Sequence, residues 1–218
     1  MKVAFQGERG AFSEEAAHRF LPGDITLVPC GSFPEVFRRL ARGEVDRAVV
    51  PMENSLAGSV HENFDLLRSG RLAILAETQL RIVLHLVAPP GIRLGDIRRV
   101  FSHPVALNQC RRFFSEHRKL QAVPFYDTAG SVKMLMEQRP PDAAAIAPAA
   151  SASIYGARIL RRSLEDDKQN YTRFFLLARS LAELPAPSQP RPPLSSPHRT
   201  CPERCSSAWR CSPSATSA

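Results

Sequence analysis

The sequence predicts a two-lobed α/β protein. Three observations carry this: short apolar, β-rich segments alternate with helical patterns, the alternation occurs twice, and a long extended stretch joins the two runs. In the first run, residues 2–6, 25–29 and 47–51 read as strands, and 13–20 and 33–42 as helices. A polar loop at 54–59 precedes a helix ending near Leu67, and residues 72–88 form the extended connector. In the second run, 100–102, 122–126 and 143–147 read as strands, with helices at 104–117, 128–137 and 150–155, and 173–178 is a last apolar strand. Alternation of this kind predicts parallel sheets covered by helices. The expected division is a first lobe of residues 1–78 plus 168–180, a second of 79–167, and a tail of 181–218.

Composition bounds the function. Of 218 residues, 44% are hydrophobic and 23% charged, a globular balance. No apolar run reaches the ~18 residues of a membrane span, and the N-terminus turns polar by Gln6, so a cytoplasmic protein without a membrane partner is expected. The net charge of +8 suits a nucleic-acid binder or an enzyme for a small anion. Long basic blocks with interleaved aromatics are lacking, so no nucleic-acid partner is expected. Cys30 and Cys110 are isolated, as buried thiols are. Cys201, Cys205 and Cys211 lie near His198 in a spacing that fits no usual zinc pattern, so no metal is expected. Eight of the 19 prolines and three of the five cysteines fall in 181–218, a composition too poor in periodic apolar residues to form a core, and this tail is expected to be disordered.

Ligands of open α/β sheets bind beyond strand ends, so chemistry is sought there. Five polar segments qualify. Residues 6–14 carry Gly7 and Gly10 ahead of Ser13, read as an N-cap whose helix start would bind an anion. Residues 51–60 offer Glu53, Asn54, Ser55 and Ser59 as a hydrogen-bonding rim. Residues 102–110 place Ser102 and His103 before Pro104, a residue suited to the first helical position, with Gln109 one to two turns on. Residues 126–133 supply Asp127 or Thr128 as a cap, then Ser131. Residues 170–177 set Thr172 and Arg173 at the mouth of a buried strand, a hydroxyl and a guanidinium suited to a carboxylate-bearing substrate. His18, His61, His85 and His117 lie within helix or strand patterns and read as structural. Phosphate-loop and dinucleotide glycine signatures are missing, so no cofactor is expected.

Taken in order, these five segments resemble the catalytic portion of prephenate dehydratases, over roughly residues 2–180. The resemblance implies a catalytic fold like that of type II periplasmic binding proteins, with the ligand cleft between the lobes. It implies a carbon–oxygen lyase that converts prephenate to phenylpyruvate, water and carbon dioxide in L-phenylalanine biosynthesis, as a possible homodimer or higher oligomer. Its catalytic residues fall on Thr172, Asn54, Gln109 and Phe174. Ser13, Ser55, Ser59, Ser102, His103, Thr128, Ser131 and Arg173 become substrate-binding candidates. Arogenate, the amino analogue, and non-catalytic anion binding on the same scaffold are the alternatives. The family's regulatory ACT domain usually follows the T-R-F strand. Its motifs are not found in 181–218, and the abrupt change of composition leads to the expectation that the chain leaves its normal reading frame near residues 185–195.

Overall fold

A computed structural model describes residues 1–70 and 72–180. The expected disordered tail, 181–218, lies outside the described residues. Strand β1 (Lys2–Gln6) buries Val3, Ala4 and Phe5 completely and lies between β2 (Thr26–Cys30) and β3 (Arg47–Asn54), parallel to both. Burial on both faces explains its unbroken apolar run. Helices α1 (Phe12–Phe20) and α2 (Phe33–Ala41) connect these strands, and α3 (His61–Gly70) follows. Helix α2 starts because Ser32 Oγ accepts from Glu35 N and Pro34 occupies the first turn, and it buries Val36, Phe37 and Leu40 on one stripe. Each such side chain contributes about 1.5–3 kcal/mol by leaving water.

The sheets are mixed rather than parallel. The first has the order β2-β1-β3-β11-β5, in which β11 (Tyr171–Ala178) returns antiparallel between β3 and β5 (Ala73–Arg81). The expected loop at 54–59 contains a two-residue strand, β4 (Gly58–Ser59), that folds back on β3. The second sheet has the order β10-β6-β9-β7-β8. Strands β7 (Arg99–Ser102), β8 (Gln121–Pro124) and β9 (Ala143–Ala147) are parallel, while β6 (His85–Ala88) and β10 (Arg158–Arg161) are antiparallel additions. The sequence reading missed β10, whose residues alternate too briefly to register. The connector at 72–88 is two strands, one in each sheet, broken at 82–84.

The single helix expected at 104–117 is two: α4 (Pro104–Asn108) and α5 (Arg111–Glu116). The break at Gln109–Cys110 has a cause in the tertiary structure. Asp166 accepts from Arg111 N and Arg112 N, starting a fresh helix, while Asp166 N donates to Gln109 O. Helix α6 (Thr128–Gln138) covers β9, which is entirely buried although four of its five residues are alanine. Small side chains there admit close helix packing, and this tertiary demand overrides alanine's weak strand preference. Helix α7 (Ala149–Tyr155) precedes β10. Among the described residues no helix is long and apolar enough to cross a membrane.

Candidate active site

A cleft of about 470 Å³ is lined from both sheets. The first contributes Gln6, Ser13, Asn54, Ser59, Thr172 and Phe174; the second contributes His103, Gln109, Tyr126, Asp127 and Thr128. Its floor is apolar, with Phe12, Ile82, Leu84 and Phe174.

Asn54 ends β3 directly opposite Thr172, the second residue of β11. Its Oδ1 accepts from two backbone amides, Leu56 N (3.1 Å) and Ala57 N (2.8 Å), which fixes the orientation of its amide. Its Nδ2 therefore donates, to Thr172 Oγ1 at 2.9 Å and to Asn170 Oδ1 at 2.8 Å. Asn170 Nδ2 donates to Gln109 Oε1 (2.9 Å), and Gln109 Nε2 donates to Asn54 Oδ1 (3.2 Å). Since Thr172 Oγ1 accepts from Asn54, its own proton is free to be given to a ligand.

His103 is the N-cap of α4, and its Nδ1 accepts from Val105 N at 3.3 Å. Neutral imidazole then carries its proton on Nε2. Desolvation pushes its pKa below the usual 6.5, against the opposing pull of Asp127. Asp127 caps α6 by accepting from Gly130 N (2.9 Å) and also accepts from Glu8 N (3.1 Å); burial raises its pKa, and these hydrogen bonds partly offset the rise. Tyr126 donates to Glu8 Oε1 at 3.2 Å, and burial lifts its hydroxyl pKa to about 12.

Ser13 lines the cleft, although the cap it was expected to supply falls on Ala11. Ala11 offers no side-chain acceptor to the first-turn amides, and Ala11, Phe12 and Ser13 all line the cleft. Gly10 holds a φ of +83° in the preceding turn, and its missing side chain is what admits Ser151 of the second lobe.

Four expected binding residues are placed elsewhere. Ser102 is fully buried and donates to Ile146 O; Ser131 is fully buried and donates to Asp127 O (2.8 Å). Ser55 donates to Gln169 O (2.8 Å) and accepts from Tyr171 N (3.0 Å), on the outer side of the sheet. Arg173 follows Thr172 on a strand, so it points to the opposite face. There its guanidinium pairs with Glu53 at 3.0 Å and lies 5.4 Å from the Phe175 ring centre. Strand alternation could have revealed this. Conversely, Gln6, Asp127 and Asn170 belong to the site or its support; all three stand in the strand-end segments, but Asp127 was expected only as a cap and Gln6 and Asn170 were given no role. Among the described residues no lysine or arginine lines the cleft, and no group of three or more His, Cys, Asp and Glu side chains could hold a metal.

Comparison with known proteins gives this geometry its relatives. Arogenate dehydratase 2 of Petunia hybrida is 45% identical over 180 residues, covering 82% of this chain and 45% of that protein. The chain thus spans about half the length of the curated relatives it matches. The structure of prephenate dehydratase from Arthrobacter aurescens in complex with L-Phe superposes with a TM-score of 0.77 at 37% identity, over 85% of this chain and 62% of that one. GqqA, described as a novel type of quorum quenching acylase, superposes with a TM-score of 0.76 at 38% identity, over 86% of this chain and 67% of that one. The prephenate dehydratase family pattern matches residues 3–181, and the chain belongs to the prephenate dehydratase family.

Proposed function

We propose that this chain carries the catalytic portion of a dehydratase that converts prephenate to phenylpyruvate for L-phenylalanine biosynthesis. The observation that carries the reading is the Thr172 hydroxyl: it is buried at the cleft, accepts from Asn54, and keeps its proton for a ligand. Prephenate has two carboxylates and a ring hydroxyl. Loss of carbon dioxide sends the carboxylate's bonding electrons through the diene and expels the hydroxyl as water once it receives a proton. The ring becomes aromatic, which drives the step. The protein's task is to hold the dianion, hydrogen-bond the leaving oxygen, and leave the departing carboxylate poorly stabilised.

The cleft suits each part of that task. Thr172 Oγ1 is the donor to the leaving oxygen. The described residues around the cleft include no lysine or arginine, and with Phe174 and Leu84 beside it the reacting carboxylate meets no cation among them. The other carboxylate is held at the α1 start, by first-turn amides and Ser13, with Ser59, Thr128 and the His103 Nε2–H as further donors. Asn54 and Gln109 orient the hydroxyl, and the chemistry asks for neither metal nor cofactor. Acyl transfer fits less well. A hydroxyl nucleophile needs a base beside it, and the side chain on Thr172 is an amide.

Arogenate differs only in bearing an ammonium where prephenate has a keto group, remote from the reacting ring. It is the second reading, favoured by the name of the Petunia relative. Turnover of both compounds, followed as ultraviolet-absorbing phenylpyruvate or as phenylalanine, tests the proposal. Thr172→Val is expected to lower kcat by ~10²–10⁴ with little change in KM. Near-wild-type turnover in that variant sinks the assignment.

A further inference from the structure

Resting on that reading, we propose that Asn170 is a positioning residue: it closes a ring of three side-chain amides that aims the Thr172 hydroxyl proton into the cleft. The ring runs head to tail, from Asn54 Nδ2 to Asn170 Oδ1 (2.8 Å), from Asn170 Nδ2 to Gln109 Oε1 (2.9 Å), and from Gln109 Nε2 to Asn54 Oδ1 (3.2 Å). Its direction is not free. Leu56 N and Ala57 N both donate to Asn54 Oδ1, so that atom is the carbonyl oxygen. Asn54 Nδ2 must then donate, Asn170 Oδ1 must accept, and the remaining two bonds follow in turn.

The ring joins three segments distant in sequence: the end of β3, the break between α4 and α5, and the connection leading into β11. Asn170 is fully buried, and its own carbonyl accepts from Ile82 N at 2.8 Å. A fixed amide at this point adds to the Leu56 and Ala57 amides in keeping Asn54 from turning. An Asn54 that turned would offer Thr172 an oxygen, and the hydroxyl would donate to it instead of to a ligand. Asn170 does not line the cleft, so it acts through Asn54 and Gln109.

An aspartate in this place cannot satisfy the ring. One carboxylate oxygen still accepts from Asn54, but the other faces Gln109 Oε1. Turning Gln109 only moves the repulsion onto Asn54 Oδ1. The neutral acid, in contrast, donates to Gln109 Oε1 as the native amide does. Apart from Arg162, the charged groups of the same connection are already engaged. Glu165 pairs with Lys168 and Arg81, Asp166 accepts from Arg111 N and Arg112 N, and Asp167 accepts from Gln169 N. The introduced carboxyl has burial acting on it, which raises its pKa; Arg162, at the start of the connection and acting on His85, is the cation of that segment that opposes the rise.

The test is steady-state kinetics of the full chain and Asn170→Asp on prephenate and arogenate, from about pH 8 to about pH 5. At the upper end kcat is expected to fall on the order of 10²-fold with KM little changed, as for a misaimed donor. Relative to wild type, the deficit narrows as the pH falls and the introduced carboxyl takes up its proton. A purely structural role predicts a deficit that does not narrow. A variant that tracks wild type throughout, or one with a pH-independent deficit, overturns the proposal. If Asn170→Asp does not fold, as judged by circular dichroism, Gln109→Glu breaks the same ring at a half-buried position, and the same narrowing is expected. Its absence overturns the proposal equally. A wild-type chain that turns over neither compound overturns the dehydratase reading, and this inference with it.

Discussion

Replacing Gly10 by alanine tests how the glycine turn after β1 fits against the second lobe. Two costs add. The backbone at Gly10 has a φ of +83°, and an alanine held in that region costs about 1–2 kcal/mol. An added Cβ would also stand 2.5 Å from Ser151 Cα and 2.7 Å from Ser151 N. These are backbone atoms, so no side chain can swing aside. Ser151 is itself fully buried and tied to Pro148 O at 2.7 Å, so α7 must shift as a unit. Overpacking of this kind costs about 1–3 kcal/mol. The expected loss is about 2–5 kcal/mol, from ~1–2 of backbone strain and ~1–3 of collision. At roughly 2–4 °C per kcal/mol for a chain of this size, melting falls by roughly 4–20 °C.

Gly23→Ala is the control. Gly23 has a φ of +109° with nothing within 4 Å of the added Cβ, so only the backbone part of the cost, about 1–2 kcal/mol, is expected. Urea unfolding and thermal melts followed by circular dichroism measure both. Equal losses in the two variants would refute the reasoning, because the collision with Ser151 would then contribute nothing.

Other outcomes follow from individual contacts. Arg173→Met, on the face away from the cleft, is expected to keep turnover within about tenfold of wild type; a loss as deep as that of Thr172→Val would show the two residues share a face. Asp127→Ala removes the α6 cap and the acceptor for Glu8 N, and is expected to cost at least the ~0.5–2 kcal/mol of a lost cap in urea unfolding. Ile146→Ala, fully buried in β9, is expected to lose about 2–5 kcal/mol by the same assay. His85 is buried, its Nδ1 accepts from Ser163 N at 3.1 Å, and burial and then Arg162 lower its pKa from 6.5, against Glu165. The unfolded chain then binds more protons between the folded value and 6.5, so stability falls as pH drops through that window and levels off below it. Denaturation midpoints of wild type and His85→Gln over this range should differ in slope, the variant being flatter.

Much of the site was legible because strand ends were the right place to look. Asn54, Gln109, Thr172, Ser13, Ser59, His103 and Thr128 all reach the cleft, and each sits at or just beyond the end of a regular element. What escaped did so for physical reasons. The break at Gln109 depends on Asp166, 57 residues later in sequence than Gln109, and no local pattern announces it. Asn170 lies in an irregular connection where periodicity carries no information, and its partners are 61 and 116 residues away. Ser102 and Ser131 looked like ligands because serine beside a helix start is compatible with binding a ligand or tying down a backbone carbonyl. Full burial decides for the second.

The direction of β11 explains why the Thr172 hydroxyl stands at the beginning of a strand. In a wholly parallel sheet every strand presents its carboxyl end to the ligand, and β1 and β3 do so with Gln6 and Asn54. A chain that leaves for a second sheet and returns must re-enter at the cleft, and the sense open to it there is antiparallel. Its first residues then lie against the last residues of β3, in the register Thr172 to Asn54. The pleat sends Thr172 and Phe174 inward and Arg173 outward to Glu53. A one-residue slip of this register would bring arginine into the cleft and bury threonine on the far face. The bulge between Arg173 and Phe174 lies just beyond the Thr172–Asn54 pair, so the ladder can adjust there without disturbing their alignment.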